Sequence, residues 1–297
     1  MTLKQLEAFY WAAKLGTFAI AAQRLAVTQS TLSKRIAELE ASIDHTLFDR
    51  SSKRPTVTET GEKLLATVKQ MIDLAENVRA GSGQIEHYEG RLRFGVSELS
   101  AATWFPRFAN RLRDEHPRLV LEPQIGEGIM LERQVDRGEL DFAIIAGVGS
   151  FDSIASEVVA EVDFTWMAAS PGPGSKQDPA HAEVVITPTS SSKMMTLFSN
   201  WATSASIGMA RTIHCNSLTT TVGLVVAGAG ISCLPKAYVS SLAKRGLLVP
   251  VRGDAPKPTL DYSFISRVDD TRSLISVMKA LVKQSADFNM PNALWAF

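Results

Sequence analysis

The chain has 297 residues, 45% of them hydrophobic, and its 31 basic and 31 acidic side chains leave a formal net charge of zero at pH 7. This length predicts two or more domains, and the zero net charge means that any attraction to a charged partner is local. No apolar run approaches the roughly 20 residues of a membrane span, the N-terminus lacks a signal-peptide pattern, and two cysteines make no disulfide framework, so we expect a cytoplasmic protein.

Two short helices joined by a tight turn are predicted between Thr17 and Leu39. In the second helix Leu32, Ile36 and Leu39 recur at i, i+4 and i+7, which is the spacing of one buried face. Thr28 is placed to cap its N-terminus. A capped helix with amide, hydroxyl and ammonium groups on its exposed front suits the DNA major groove. The predicted DNA contacts of this helix are Thr28, Gln29, Ser30, Thr31, Ser33, Lys34 and Arg35.

A short basic loop follows between Leu47 and Val57. Such a loop beside a recognition helix is typical of a wing that touches phosphate or the minor groove. Alone, the helix pair would also fit an ordinary helical hairpin and the loop a solvated turn. Together they favour a winged helix-turn-helix domain over residues 1–58, in which eight Lys and Arg stand against five Asp and Glu. The predicted wing contacts are Arg50, Ser51, Lys53 and Arg54.

This N-terminal pattern resembles the LysR-type transcriptional regulators of bacteria, and the resemblance continues through the whole chain. The residues that carry it are Phe18, Ala21, Ala22, Leu25, Gln29, Leu32, Ser33, Ile36, Leu39, Glu40, Leu47, Phe48, Arg50, Thr58, Glu59 and Gly61. It implies double-stranded DNA and a small-molecule effector as partners, a homodimer or homotetramer, and RNA polymerase as a further candidate partner. Ser30 and Lys34 depart from the proline and arginine common in the family, and lysine lacks the planar fork for bidentate guanine reading.

From Thr58, which can cap a helix, apolar residues recur at steps of three and four as far as Val78. This predicts a long linker helix within residues 59–89, ending in a hinge near Ala80–Gln84. A surface helix packed on its own domain is one alternative. We favour burial of the stripe against a second copy, which the resemblance also implies. The predicted dimerisation residues are Leu64, Leu65, Val68, Met71, Ile72 and Ala75.

Strands and helices alternate over residues 90–297, which predicts an α/β domain with mostly parallel sheets. The predicted strands are Leu92–Val96, Leu119–Ile125, Leu140–Ile145, Phe164–Ala168, Val184–Ile186, Arg211–Cys215, Ile231–Leu234, Leu247–Val251 and Leu260–Ser266. The predicted helices lie at about 101–115, 130–137, 191–204, 218–227, 236–245 and 271–285.

The predicted strands form two sets, one for each lobe, and the last strand returns to the first set. The chain therefore crosses twice between the two lobes. Lobe I spans about 90–162 and 266–297, and lobe II about 163–265. We therefore predict an α/β fold with an all-α N-terminal winged helix-turn-helix domain. A long dimerisation helix then leads to a two-lobed effector domain like that of periplasmic solute-binding proteins.

Open α/β sheets bind ligands beyond the C-terminal ends of their strands, so the residues that follow strands are candidate effector contacts. Hydroxyls and free N–H groups at helix N-termini suit an anionic group such as a carboxylate, although Ser and Thr are also common structural caps. Two carboxylates among the candidates disfavour a small dianion and favour an amphipathic acid or a ligand with an amine. The candidates are Ser97, Glu98, Ser100, Gly126, Glu127, Ala146, Thr189, Ser190, Ser191 and Ser217.

The five histidines show no metal-ligand spacing, we find no catalytic constellation, and no cofactor or enzymatic activity is expected. Cys215 and Cys233 fall in predicted strands, where a buried, inert thiol is the usual outcome. The main prediction is a transcriptional regulator whose operator binding or promoter activation responds to an effector in the C-terminal domain. The alternatives are a redox-sensing regulator that uses these cysteines and a cytoplasmic solute-binding module.

Overall fold

The computed structural model describes residues 1–51, 55–79, 90–171, 184–189, 193–209, 211–251 and 258–290. Its helices are α1 (Leu3–Leu15), α2 (Phe18–Arg24), α3 (Gln29–Ile43), α4 (Glu59–Arg79), α5 (Glu98–Ala102), α6 (Phe105–Glu115), α7 (Gly128–Asp136), α8 (Lys193–Ser204), α9 (Leu218–Val226), α10 (Ser240–Lys244) and α11 (Ser273–Ser285). Its strands are β1 (Phe48–Asp49), β2 (Thr56–Val57), β3 (Gly90–Val96), β4 (Leu119–Ile125), β5 (Phe142–Ala146), β6 (Ile154–Ala169), β7 (Val184–Thr187), β8 (Arg211–His214), β9 (Ser232–Pro235), β10 (Leu248–Pro250) and β11 (Thr259–Arg267).

The N-terminal domain is a winged helix-turn-helix, as predicted. Helices α2 and α3 form the motif, and β1 pairs antiparallel with β2 to form the wing. The turn between the helices contains Ala26 at φ 52°, a left-handed conformation that carries strain for a residue with a Cβ. The core under the wing is aromatic, because Phe48 makes edge contacts with Phe9 and Phe18 at 5.8 and 5.1 Å between ring centroids. This core holds the wing beside the motif.

The effector domain contains a seven-stranded sheet in the order β10-β6-β11-β5-β3-β4, with β9 also paired to β6, and a two-stranded sheet of β7 and β8. We use lobe I for β3–β5 with α5–α7 and α11, and lobe II for β7–β10 with α8–α10. Strand β3 is parallel to β4 and β5, and β7 is parallel to β8. Strands β6 and β11 pair antiparallel with all their partners. The prediction of mostly parallel sheets is therefore wrong.

Two elements differ from the predicted boundaries for clear physical reasons. Strand β6 begins at Ile154, ten residues before the predicted start, because its first half pairs along β11 and has polar residues that interrupt the apolar run. The predicted helix over 101–115 is two helices, since Pro106 in the first turn of α6 lacks the N–H that a continuous helix would need. Strand β6 thus runs unbroken from lobe I into lobe II.

Helix α4 confirms the predicted long helix, but its apolar stripe is shared between two surfaces. Val68 and Ile72 are buried in the chain's own N-terminal core, and Leu64 and Leu65 pack on that core. Ala75 is half-buried. The exposed apolar side chains lie further round the helix and toward its C-terminus: Met71 is 39%, Leu74 66% and Val78 75% exposed. Val68 and Ile72 are therefore packed within the chain's own domain, and Met71 is the predicted dimerisation residue that the helix leaves exposed.

The N-terminal domain also contacts lobe I. Arg24, at the end of α2, forms an ion pair of 2.6 Å with Asp141, and the guanidinium of Arg93 donates to the Arg24 carbonyl at 3.0 Å. Trp11 packs over Gly138, whose φ of +73° favours glycine; a methyl group added at this Cα would lie 2.7 Å from the ring. These contacts fix the helix-turn-helix to the effector domain.

None of the helices in the described ranges is long and apolar enough to cross a membrane.

Candidate functional site

The exposed front of α3 carries the predicted DNA contacts. Thr28 caps the helix as predicted, because its hydroxyl accepts the Thr31 N–H at 3.2 Å. The same hydroxyl lies 2.9 Å from the hydroxyl of Ser30. Leu32, Ile36 and Leu39 point the other way into the core. The side chains that this leaves at the surface are Gln29, Ser30, Thr31 and Lys34, which are exposed, and Ser33 and Arg35, which are half-buried.

Glu40 of α3 anchors the wing, a role that the sequence did not reveal. One carboxylate oxygen accepts the N–H groups of Leu47 and Phe48 at 2.8 and 3.1 Å, and the other accepts the Arg50 guanidinium at 2.9 Å. Arg50 is therefore held beside α3. Ser51 donates its N–H to Asp49 at 2.8 Å. Two further predicted wing contacts, Lys53 and Arg54, lie outside the described residues.

A cavity of about 550 Å³ lies between the two lobes. Among the predicted effector contacts, the following line it: Ser97, Glu98, Gly126, Glu127, Ala146, Thr189 and Ser217. Ser100 does not line it; it is buried behind Ser97, with the two hydroxyls 2.9 Å apart. Ser190 and Ser191 lie outside the described residues. The ends of strands from both lobes thus meet at one cavity. This is the position at which open α/β sheets bind ligands.

Much of the cavity wall is apolar, and these side chains are not among the effector contacts predicted from the sequence. They are Leu99, Ile125, Phe164, Met194, Phe198, Leu218 and Leu234. They come from strand interiors and helix faces, where apolar spacing by itself indicates a core. Tyr262 also lines the cavity; burial raises the pKa of its hydroxyl, against the opposite effect of a hydrogen bond with Ser97. The cavity can hold a small amphipathic molecule.

The carboxylate of Glu98 bridges the lobes across this cavity. One oxygen accepts the Ser217 hydroxyl and the Thr219 N–H, both at 3.0 Å, and the other accepts the Leu218 N–H at 2.6 Å. Glu98 belongs to α5 of lobe I, whereas these donors belong to the N-terminus of α9 in lobe II. A carboxylate from one lobe therefore occupies the helix terminus of the other.

Both cysteines line the same cavity. Cys233 is buried, and its burial raises the pKa of the thiol, which opposes formation of the reactive thiolate. Cys215 is half-buried, and its sulfur lies 3.4 Å from the Ser217 carbonyl oxygen. The environment of Cys233 does not favour the redox alternative. No cluster of three or more metal-binding side chains occurs within the part of the chain that the structure describes.

Two family models match the chain, and together they cover nearly all of it. Residues 3–62 match the bacterial regulatory helix-turn-helix protein of the lysR family. Residues 86–287 match the LysR substrate binding domain. The first match spans the domain that presents α3 and the wing, and the second spans both lobes and the cavity.

Curated relatives match over most of their length. GltR of Bacillus subtilis is 26% identical over 248 residues, which is 83% of this chain and 83% of the relative. YofA of Bacillus velezensis is 25% identical over 240 residues, covering 81% of this chain and 83% of the relative. Both are described as HTH-type transcriptional regulators.

Solved structures share the fold. A full-length OxyR variant from Pseudomonas aeruginosa superposes with a TM-score of 0.65 at 20% identity, covering 96% of this chain and 94% of that chain. LysG from Corynebacterium glutamicum, with its effector arginine bound, gives a TM-score of 0.62 at 18% identity, covering 96% and 98%. ArgP from Mycobacterium tuberculosis gives 0.63 at 21% identity, covering 95% and 96%.

Proposed function

The chain belongs to the LysR family of transcriptional regulators, and we propose that α3 reads its operator while the cavity between the lobes binds the controlling small molecule. A DNA-binding regulator with an effector domain follows from the family. The residue roles and the ligand chemistry are our inference. The observation that supports them most is the cavity of about 550 Å³, which has apolar walls and polar groups from both lobes.

On the DNA side, Gln29 and Ser33 approach base edges in the major groove, because amide and hydroxyl groups there distinguish base pairs. Arg50 and the basic residues Lys53 and Arg54 of the wing contact phosphate, which contributes affinity without sequence information. Lys34 and Arg35 supply further positive charge to the same surface. Such a regulator works where bacterial DNA is held, in the cytoplasm, and acts by binding alone.

Assembly uses the part of α4 that its own domain leaves uncovered. Met71, Leu74 and Val78 form an exposed apolar strip, and a second copy of α4 is the occupant that we propose for it. Two such dimers then form a homotetramer. RNA polymerase is a proposed partner at promoters that the protein activates.

Ligand binding is coupled to DNA binding through the lobes. A molecule that touches both lobes favours the lobe arrangement that it fits, and so shifts the population of assemblies. The ion pair between Arg24 and Asp141 links lobe I directly to the helix-turn-helix. A change in lobe I therefore changes the spacing of paired recognition helices.

The test begins with operator selection from a random duplex pool by the full-length protein. A small-molecule library is then screened by thermal shift, because a ligand selective for the folded state raises the melting temperature. We expect a selected consensus sequence and at least one ligand that alters affinity for it. Selection without a consensus would contradict the assigned role of α3, and a ligand without effect on operator affinity would contradict the assigned role of the cavity.

A further inference from the structure

The N-terminus of α9 is an anion site that the chain already fills. Glu98 takes the first two N–H groups of the helix, at Leu218 and Thr219, together with the Ser217 hydroxyl. The Thr220 N–H donates to the Ser217 hydroxyl at 3.2 Å, and the Thr221 N–H donates to the Ser217 carbonyl at 2.9 Å. Every N–H group of this first turn has a partner within the chain. A ligand carboxylate would find no donor here and would meet the negative charge of Glu98.

The charge of the cavity wall also disfavours a ligand carboxylate. Its described lining holds two carboxylates, Glu98 and Glu127, and no lysine, arginine or histidine. Glu127 precedes α7 and is half-buried, and its side chain makes no capping hydrogen bond to that helix. An ionised carboxylate offers about four lone-pair sites, so Glu98 retains one for a ligand after accepting three hydrogen bonds.

We propose that Glu98 is a specificity-determining residue of the effector cavity. Its carboxylate occupies the α9 terminus, so the cavity selects a ligand with an ammonium or guanidinium group on an apolar body and excludes one that brings a carboxylate to that terminus. The cation faces Glu98 and Glu127, and the body packs on Phe164, Met194 and Phe198. This inference rests on the proposed function of the cavity as the effector site.

The test compares two probes of the same shape and opposite charge, benzylamine and benzoate, by calorimetry on the full-length protein. The native protein should bind benzylamine at least about tenfold more tightly than benzoate, because one charge-assisted hydrogen bond contributes about that factor. Glu98→Ala frees the Ser217 hydroxyl and two N–H groups. The variant should bind benzoate about tenfold more tightly than the native protein does, and benzylamine about tenfold more weakly.

Two further variants keep the result interpretable. Glu98→Gln has the same shape as glutamate and retains an oxygen for the α9 donors. It should therefore lose the preference for benzylamine without the full gain in benzoate affinity. This variant replaces Glu98→Ala in the test if the alanine variant does not fold. Glu115→Gln removes the same charge at the exposed end of α6, outside the described cavity lining, and should leave both affinities unchanged.

Equal binding of both probes to the native protein, or an unchanged preference in Glu98→Ala and Glu98→Gln, would overturn the role of Glu98. The proposed function is tested separately by Ala146→Trp, which places a large side chain in the cavity. If benzylamine binds this variant as tightly as the native protein, the cavity is not the ligand site, and the proposed function fails whatever Glu98 does. Loss of benzylamine binding in Ala146→Trp supports the cavity assignment.

Discussion

The guanidinium of Arg24 lies 2.6 Å from the carboxylate of Asp141, and this ion pair joins the end of α2 to the residue before β5. Both side chains are buried, and Trp11 stacks on the guanidinium with 4.4 Å from its central carbon to the ring centroid. Arg272 contacts the same carboxylate at 2.9 Å. Asp141 is therefore shared by two arginines where the helix-turn-helix meets the effector domain, and Arg272 also pairs with Asp270 at 2.6 Å.

Replacing Asp141 by asparagine should lower the free energy of unfolding by about 3 kcal/mol, because it leaves the buried guanidinium of Arg24 without its counter-charge. Urea denaturation measures the change. Glu115→Gln is the matched control: its ion pair with Arg111 is almost as short at 2.7 Å but exposed, so we expect a change below about 0.5 kcal/mol. Equal losses in the two variants would show that burial of Asp141 contributes nothing.

The stability difference between native protein and Asp141→Asn should depend on pH. Burial alone would raise the pKa of Asp141, but Arg24, Arg272 and the Arg93 N–H outweigh burial and hold it well below its usual range. A lowered pKa in the folded state contributes stability that is complete above the unfolded pKa of about 3.9 and is lost as pH falls further. The difference should stay constant from pH 7 to 5 and shrink below pH 4. A difference that grows on acidification would contradict this assignment.

Local features of the fold followed from the sequence, whereas contacts between distant residues did not. The Thr28 cap and the i, i+4, i+7 face of α3 depend on residues within two turns, so their pattern is enough. The periodicity of α4 predicts its apolar stripe. It does not show that the chain's own N-terminal core covers Val68 and leaves Val78 exposed. Glu98 was identified as a candidate by its place after a strand. Its partner Leu218 lies 120 residues away, and no local pattern encodes that contact.

Gln29→Ala should weaken binding to the selected operator more than binding to random duplex, because a base-edge contact carries sequence information. We expect a loss of about 1–3 kcal/mol on the operator alone. Arg54→Ala should weaken both and reduce the dependence of affinity on salt concentration, as loss of a phosphate contact does. Fluorescence anisotropy at several salt concentrations separates these effects. Identical losses of the two variants on both DNAs would reject the assigned orientation of α3.

Val78→Asp should abolish the dimer without unfolding the chain, because this side chain is 75% exposed on α4. Val68→Asp places the same charge in the N-terminal core and should unfold that domain. Sedimentation and circular dichroism together distinguish the two outcomes. An intact dimer in Val78→Asp would remove the exposed strip of α4 as the interface.

Peroxide should leave operator affinity unchanged, and Cys233→Ser should behave like the native protein in this respect. Burial raises the pKa of the Cys233 thiol, so little of it is the thiolate that peroxide oxidises. Operator binding before and after peroxide treatment is the measurement. A peroxide response in the native protein that disappears in Cys233→Ser would revive the redox alternative.

Operator affinity with and without saturating ligand, in native protein and in Ala146→Trp, tests most directly whether the cavity controls DNA binding. The ligand is the molecule found by thermal shift. In the native protein we expect operator affinity to change by about 5- to 150-fold, the usual range for coupled sites. In Ala146→Trp, whose cavity is obstructed by the larger side chain, we expect no change. The same ligand effect in both proteins, or none in the native protein, would contradict control through the cavity.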